Sequence, residues 1–317
     1  MLMQGPELSA VPRFPVAIQA PDIGRWRAGN TGVAGFTTAS GARPGPHVVV
    51  LAVMHGNEVG GAVVLDRLLE AGLRPRCGRL TVGFANMDAY ARFDAAEPTA
   101  SRFVDEDLNR VWDPAVLDGP RCSAELERAR AMRPVIDDAD MLLDLHSMLW
   151  PSDPLILSGT SMKGRGLASA LGMPSLVVAD HGHQTGPRAI DYPRFSDEGT
   201  GAAACLVEAG QHWQPDTVEV MQAAVDALLA RTVLGGGPLT ALPTVRCAEV
   251  TRAVTATTSS FAFVQAFRGG DVVPRRNTLI ALDGTMEIRT PHDDCLLVMP
   301  TLRASRGHTA VRLARFI

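Results

Sequence analysis

The chain has 317 residues, enough for one large domain or for a large and a small one. One residue in five is charged and mean hydropathy sits near zero, the balance of a packed globular protein and not of a disordered one. A formal net charge of -4 argues against a general nucleic-acid binder, which is normally basic.

The opening MLMQGPELSAVPRFP lacks the basic start and unbroken apolar stretch of a secretion signal, and no apolar run approaches transmembrane length. The five cysteines are scattered, odd in number and never spaced C-x-x-C, which fits reduced thiols better than a disulfide framework. A cytoplasmic protein with no membrane partner and no nucleic-acid partner is expected. A homo-oligomer stays open.

Residues 1–46 are rich in Pro and Gly, with short strand-like pieces at 15–18 and 31–38. Residues 48–53 are a continuous β-branched and apolar run, the pattern of a strand buried on both faces. Helical spacing follows over 58–71 through Val59, Ala62, Val63, Leu65, Leu68 and Leu69, and Gly72 stops it. The next strand is predicted at 80–86, and a helix over 123–136 with Ser123 as its N-cap. Strands at 141–145 and 155–158, a short helix at 164–171, strands at 175–179 and 203–207, and an amphipathic helix over 216–233 continue the alternation. This predicts an α/β fold with a mostly parallel sheet flanked by helices.

At the GGGP run, 235–238, the pattern changes. Beyond it lie short β-rich runs at 261–267, 278–282, 286–288 and 295–298, separated by turn sequences, and no convincing helix. Two domains are predicted: a catalytic α/β domain over 1–236 and a small β-rich domain over 237–317 on a flexible joint.

Chemistry-bearing residues fall just past strand ends. His55 and Glu58 follow the first buried strand, His146 closes MLLDLHS, and Glu208 follows the 203–207 run. In open α/β sheets ligands bind outside the carboxyl ends of the strands. Two histidines and a carboxylate are three protein ligands for one catalytic zinc with a fourth position open. H-x-x-E brings its side chains together only where the segment turns helically, and Gly56, Gly60 and Gly61 suit such a turn. Alone the pattern is weak, since a single His is more often a satisfied core or surface residue. Asp144, two positions before His146, is a candidate to orient it.

The segment SRFVDEDLNRVW offers Arg102, Asn109 and Arg110. A guanidinium matches a carboxylate with two parallel bonds, and a neighbouring Asn adds a third. The bland alternative is a solvated loop in which these arginines pair with Asp105, Glu106 and Asp107. Between 180 and 200 the chain is long and polar; Arg188 or Arg194 is a candidate grip on a second carboxylate, with an ordered surface loop as the alternative.

Taken in order, HGNE, Arg102 with the Asn109–Arg110 pair, LDLHS and the V-E-x-G run ending at Gly210 resemble the succinylglutamate desuccinylase/aspartoacylase family, relatives of the zinc carboxypeptidases. The resemblance covers about residues 46–233 and continues more loosely into the β-rich end. It implies a zinc-carboxypeptidase-like fold with a small C-terminal β-rich domain that restricts access to the site. It implies zinc on His55, Glu58 and His146, a substrate carboxylate on Asn109 and Arg110, a carbonyl polarised by Arg102, and Glu208 as general base. Arg188 aligns with no family arginine and stays a candidate substrate contact. The implied reaction is hydrolysis of an N-acyl amino acid or similar small amide that bears a carboxylate. The alternative is a carboxypeptidase-like peptidase acting on short peptides. The acyl group and the amino acid are not legible.

Overall fold

The computed structural model describes residues 14–182, 185–234 and 244–317. Strands β1 (Phe36–Ser40) and β2 (Arg43–Ala52) lead into helix α1 (Val59–Glu70) and strand β3 (Cys77–Phe84). Helix α2 (Ala124–Asp137) precedes β4 (Met141–Met148) and β5 (Leu155–Leu157). Helix α3 (Met162–Leu171), β6 (Leu176–Ala179), β7 (Ala203–Gln211) and α4 (Pro215–Arg231) complete the alternation.

The period of two along β2 explains the layering. Val48, Val50 and Ala52 point into one core with Val59, Val64 and Leu65 of α1 and Val218, Met221 and Leu228 of α4. Val49 and Leu51 point into the other with Leu126, Met132 and Ile136 of α2. A strand covered on both faces cannot alternate with polar residues, hence the unbroken apolar run. Each such fully buried side chain contributes about 1.5–3 kcal/mol. Ser123 caps α2, its Oγ accepting the Leu126 N–H at 3.0 Å.

Beyond residue 244 come β8 (Arg246–Thr255), β9 (Phe261–Phe263), β10 (Val272–Val273), β11 (Leu279–Asp283), β12 (Met286–Arg289), β13 (Cys295–Val298) and β14 (Thr309–Phe316), with no helix among the described residues. The main sheet has eleven strands in the order β1-β3-β2-β4-β7-β5-β6-β8-β14-β13-β10. β2, β3, β4 and β7 run parallel, β5 is antiparallel to β7, and β8 lies parallel to β6. The sheet is therefore mixed, and it runs through the expected domain boundary. β8 satisfies the outer edge of β6, with Leu176 opposite Arg246 and Val178 opposite Ala248; an unpaired edge there would be an aggregation hazard. Among the described residues β9, β11 and β12 form a second sheet, over a separate small core. The GGGP joint lies outside the described residues. No helix among the described residues is long and apolar enough to cross a membrane.

Candidate active site

Because β2, β4 and β7 are parallel neighbours, their carboxyl ends share one edge of the sheet. The chain leaves β2 through Val53 at a φ of +61°, a conformation strained for a β-branched residue and found mainly where function demands it. A single turn follows, the His55 carbonyl accepting the Glu58 N–H at 3.1 Å. Gly56 is required here, since a Cβ would collide with the Ser101 carbonyl oxygen. The loop carrying Arg102 therefore crosses directly over the turn, and the Gly56 N–H donates to the Arg102 carbonyl at 3.1 Å.

Glu58 stands between two imidazoles. His55 Nδ1 lies 2.6 Å from its Oε1, and His146 Nδ1 lies 3.1 Å from its Oε2. One ligand atom from each of the three residues falls within 4.8 Å of the others. All three are buried, at 4%, 2% and 2% exposure for His55, Glu58 and His146. Behind each imidazole is a carboxylate: Asp107 Oδ1 lies 2.9 Å from His55 Nε2, and Asp144 Oδ2 lies 2.9 Å from His146 Nε2. With both Nε2–H groups assigned as donors to these acids, both Nδ1 lone pairs face inward. Burial alone would raise the Glu58 carboxyl; His55 and then His146 outweigh it and hold it well below the ordinary carboxylate range. An ionised, buried carboxylate flanked by two inward imidazoles is a borderline-soft N/O donor set that fits a zinc ion.

Glu208 is the ladder partner of His146 across β4 and β7. It is buried, and its Oε2 has no hydrogen-bond partner. Burial pushes its carboxyl up to about 8, against the pull of His146, Arg102 and Arg312 and with help from Glu58. Arg102 is the more open group, with 36% of its side chain exposed. Its guanidinium is held by Asp107 at 3.0 Å and faces Glu58 Oε1 at 3.5 Å.

Asn109 and Arg110 form the next stretch of wall. Asn109 Oδ1 accepts the Ala189 N–H at 2.8 Å, and its Nδ2 lies 3.3 Å from His146 Nε2. Arg110 Nη1 donates to the Asn109 carbonyl at 2.6 Å, and its one carboxylate neighbour within 4 Å among the described residues, Asp107, is 3.9 Å away. Burial lowers the Arg110 guanidinium to about 10; Asp107 opposes this, and Arg102, Arg188 and Arg312 add to it. It is a half-buried cation with too little anion beside it.

Arg188, read from the sequence as a candidate substrate contact, is 2% exposed and closed on two acids. Nη1 and Nη2 donate to Asp180 at 3.1 and 2.7 Å, and Nε donates to Asp191 at 2.7 Å. A guanidinium so engaged braces the loop and is not presented to a ligand. Asp180 also receives Arg312 Nε at 3.3 Å, from the last strand of the chain. Asp180 and Arg312 were not singled out from the sequence, and Asp107 was named only as a possible partner of the arginines, a pairing it makes with Arg102. Asp180 had a signal, its place just past the end of β6; Arg312 had none, because strand order alone brings β14 near this corner.

The model of the succinylglutamate desuccinylase/aspartoacylase catalytic domain matches residues 44–232, more than half of the chain. The chain belongs to this family. Solved structures share its fold. Succinylglutamate desuccinylase from Vibrio parahaemolyticus is similar with a TM-score of 0.69 at 16% identity, over 90% of this chain and 86% of that one. The product-bound ectoine utilization protein EutE (DoeB) from Ruegeria pomeroyi gives 0.63 at 16% identity over 88% of each chain. Murine aminoacylase 3 gives 0.62 at 18% identity, over 87% and 96%. At such identities the likeness establishes the fold alone. No curated protein matches the sequence.

Proposed function

We propose that the protein is a zinc-dependent deacylase that hydrolyses the amide of an N-acyl amino acid, or a similar small amide, to a carboxylate and a free amine. The observation that carries this reading is the buried His55–Glu58–His146 set beside Glu208, whose Oε2 has no partner. Membership in a family of desuccinylases and acylases supports the amide as the bond attacked. All five cysteines are free, which supports a cytoplasmic setting.

Zinc held by His55, Glu58 and His146 would polarise the scissile carbonyl and lower the pKa of a water to about 7. Glu208 would take the proton from that water at Oε2 and return it to the leaving amine. Arg102, braced by Asp107, faces the negative charge that develops on the carbonyl oxygen. Removing one such donor typically costs about 10²–10³ in rate. Arg110 and Asn109 hold the substrate carboxylate, which supplies the anion Arg110 lacks.

Glu208→Gln tests the reading. Zinc content by elemental analysis should be unchanged, while turnover falls by about 10²–10⁴. Full activity in that variant refutes the base assignment. Assaying N-acyl amino acids beside short peptides separates a deacylase from a carboxypeptidase-like enzyme using the same groups.

A further inference from the structure

The turn between Arg102 and Asp107 is held by a residue outside the site. Glu125, in the first turn of α2, is 1% exposed. Its Oε1 accepts the Val104 N–H at 2.6 Å and Asn86 Nδ2 at 2.9 Å. Its Oε2 accepts the Asp105 N–H at 2.9 Å and the Glu106 N–H at 3.2 Å. Three successive backbone N–H groups around one carboxylate make a nest that suits an anion, and the helix N-terminus favours the same charge. The turn answers in kind: Asp105 Oδ2 accepts the Ala124 N–H at 2.8 Å, and Glu106 Oε1 accepts the Ser123 hydroxyl at 2.5 Å. Asn86 follows β3 and is tied to the end of β2, its N–H donating to the Val53 carbonyl at 2.8 Å. Glu125 thus fastens the turn to the same strand ends that carry the site.

The two ends of the fastened segment carry active-site groups. Arg102 faces Glu58, and Asp107 receives His55 Nε2. We propose that Glu125 is a positioning residue: its carboxylate fixes the 104–106 turn so that Arg102 meets the developing oxyanion and Asp107 orients His55 toward the metal. This rests on the deacylase reading. The carboxylate clamp shares Asp107 with this segment, the Asn109 N–H donating to Asp107 Oδ1 at 2.9 Å, but it has two further anchors, the Ala189 N–H on Asn109 Oδ1 at 2.8 Å and the Trp112 N–H on the Pro187 carbonyl at 3.4 Å. Losing Glu125 should therefore disturb rate and metal affinity more than substrate affinity.

Glu125→Gln keeps the shape but turns one acceptor oxygen into a donor, which cannot face backbone N–H groups. Two measurements compare it with wild type: zinc affinity by chelator competition, made without substrate, and steady-state kinetics on an N-acyl amino acid that the wild type cleaves. Zinc affinity should weaken by about 10-fold, as for loss of a group that orients a ligand. kcat should fall by about 10²-fold, as for a misplacement near 1 Å, with KM within about threefold. A variant that only melts earlier, with wild-type zinc affinity and kcat, overturns the proposal and leaves a structural role. If Glu125→Gln does not fold, Glu125→Asp carries the test, since it keeps the charge but falls one methylene short; wild-type zinc affinity and kcat there overturn it equally. A wild type that binds zinc but cleaves no amide sinks the deacylase reading while the zinc comparison still judges Glu125. A wild type without zinc affinity overturns both.

Discussion

Arg110 and Arg188 stand in one wall and are treated oppositely. The two segments press together: a Cβ on Gly186 would collide with the Arg110 carbonyl oxygen. Arg188 closes on Asp180 and Asp191 with short bonds, and the two acids raise its basicity despite burial. Arg110 has a carboxylate at 3.9 Å, and burial lowers its basicity. A buried guanidinium with its anions built in is a strut. A half-buried one left short of anion suits an anion that arrives from outside. The His55–Glu58–His146 corner shows the same logic with the sign reversed, since Glu58 carries a negative charge between two imidazoles and suits a cation.

The strongest way to break this comparison is Arg188→Ala. It strips Asp191 of its guanidinium, leaving the backbone N–H of position 188, and removes half of the Asp180 pairing, and breaking a buried pair from one side costs about 3–5 kcal/mol. The unfolding free energy from urea titration should fall by that amount, while KM of the folded variant changes little. A variant as stable as wild type with a sharply raised KM would make Arg188 the ligand contact after all.

Arg110→Ala should show the reverse. Loss of hydrogen bonds to a charged group weakens binding by about 1.5–3 kcal/mol, which is roughly 10- to 150-fold in KM. Stability should hold, because a poorly neutralised half-buried charge leaves with the side chain. The decisive control is the substrate's methyl ester: wild type should prefer the free acid strongly, and the variant should not discriminate. A large loss of stability with unchanged KM would erase the difference between the two arginines.

The His55–Glu58–His146 corner was legible in sequence because its cause is local. A strand buried on both faces must read as an apolar run, so a polar residue just past its end stands out, as His55, His146 and Glu208 do. The wall was not legible, because charge pairing there is settled by tertiary approach. DEDLN offers three acids within five positions, and only the crossing of the loop over Gly56 decides that Asp107, not Asp105, receives His55. Arg188 reads like Arg110 until Asp180 comes beside it. Its spacing to Asp191, three positions on, was the one local hint. β8 and β14 escaped for a related reason: RCAEVTRAVT and TAVRLARF interleave charges with apolar residues, and strand order gives Arg312 a buried place near Asp180.

The smallest predicted effect concerns acid. Burial alone would raise the Asp180 carboxyl; Arg188 and then Arg312 outweigh it and hold it below the ordinary value. An unfolded Asp titrates near about 3.9. A folded pKa below that gives a contribution that is fully present above the unfolded value and is lost as pH falls through the folded one. Urea unfolding of wild type and Asp180→Asn at several pH values isolates it, because acid loss of metal affects both. The stability difference should be constant from neutral pH to about 5 and shrink below about 4, by at most about 1.4 kcal/mol per pH unit. A difference that stays constant to pH values well below 4 would mean that Asp180 gains nothing from its arginines. Arg188 would then be no better compensated than Arg110, and the contrast between the two would need another cause.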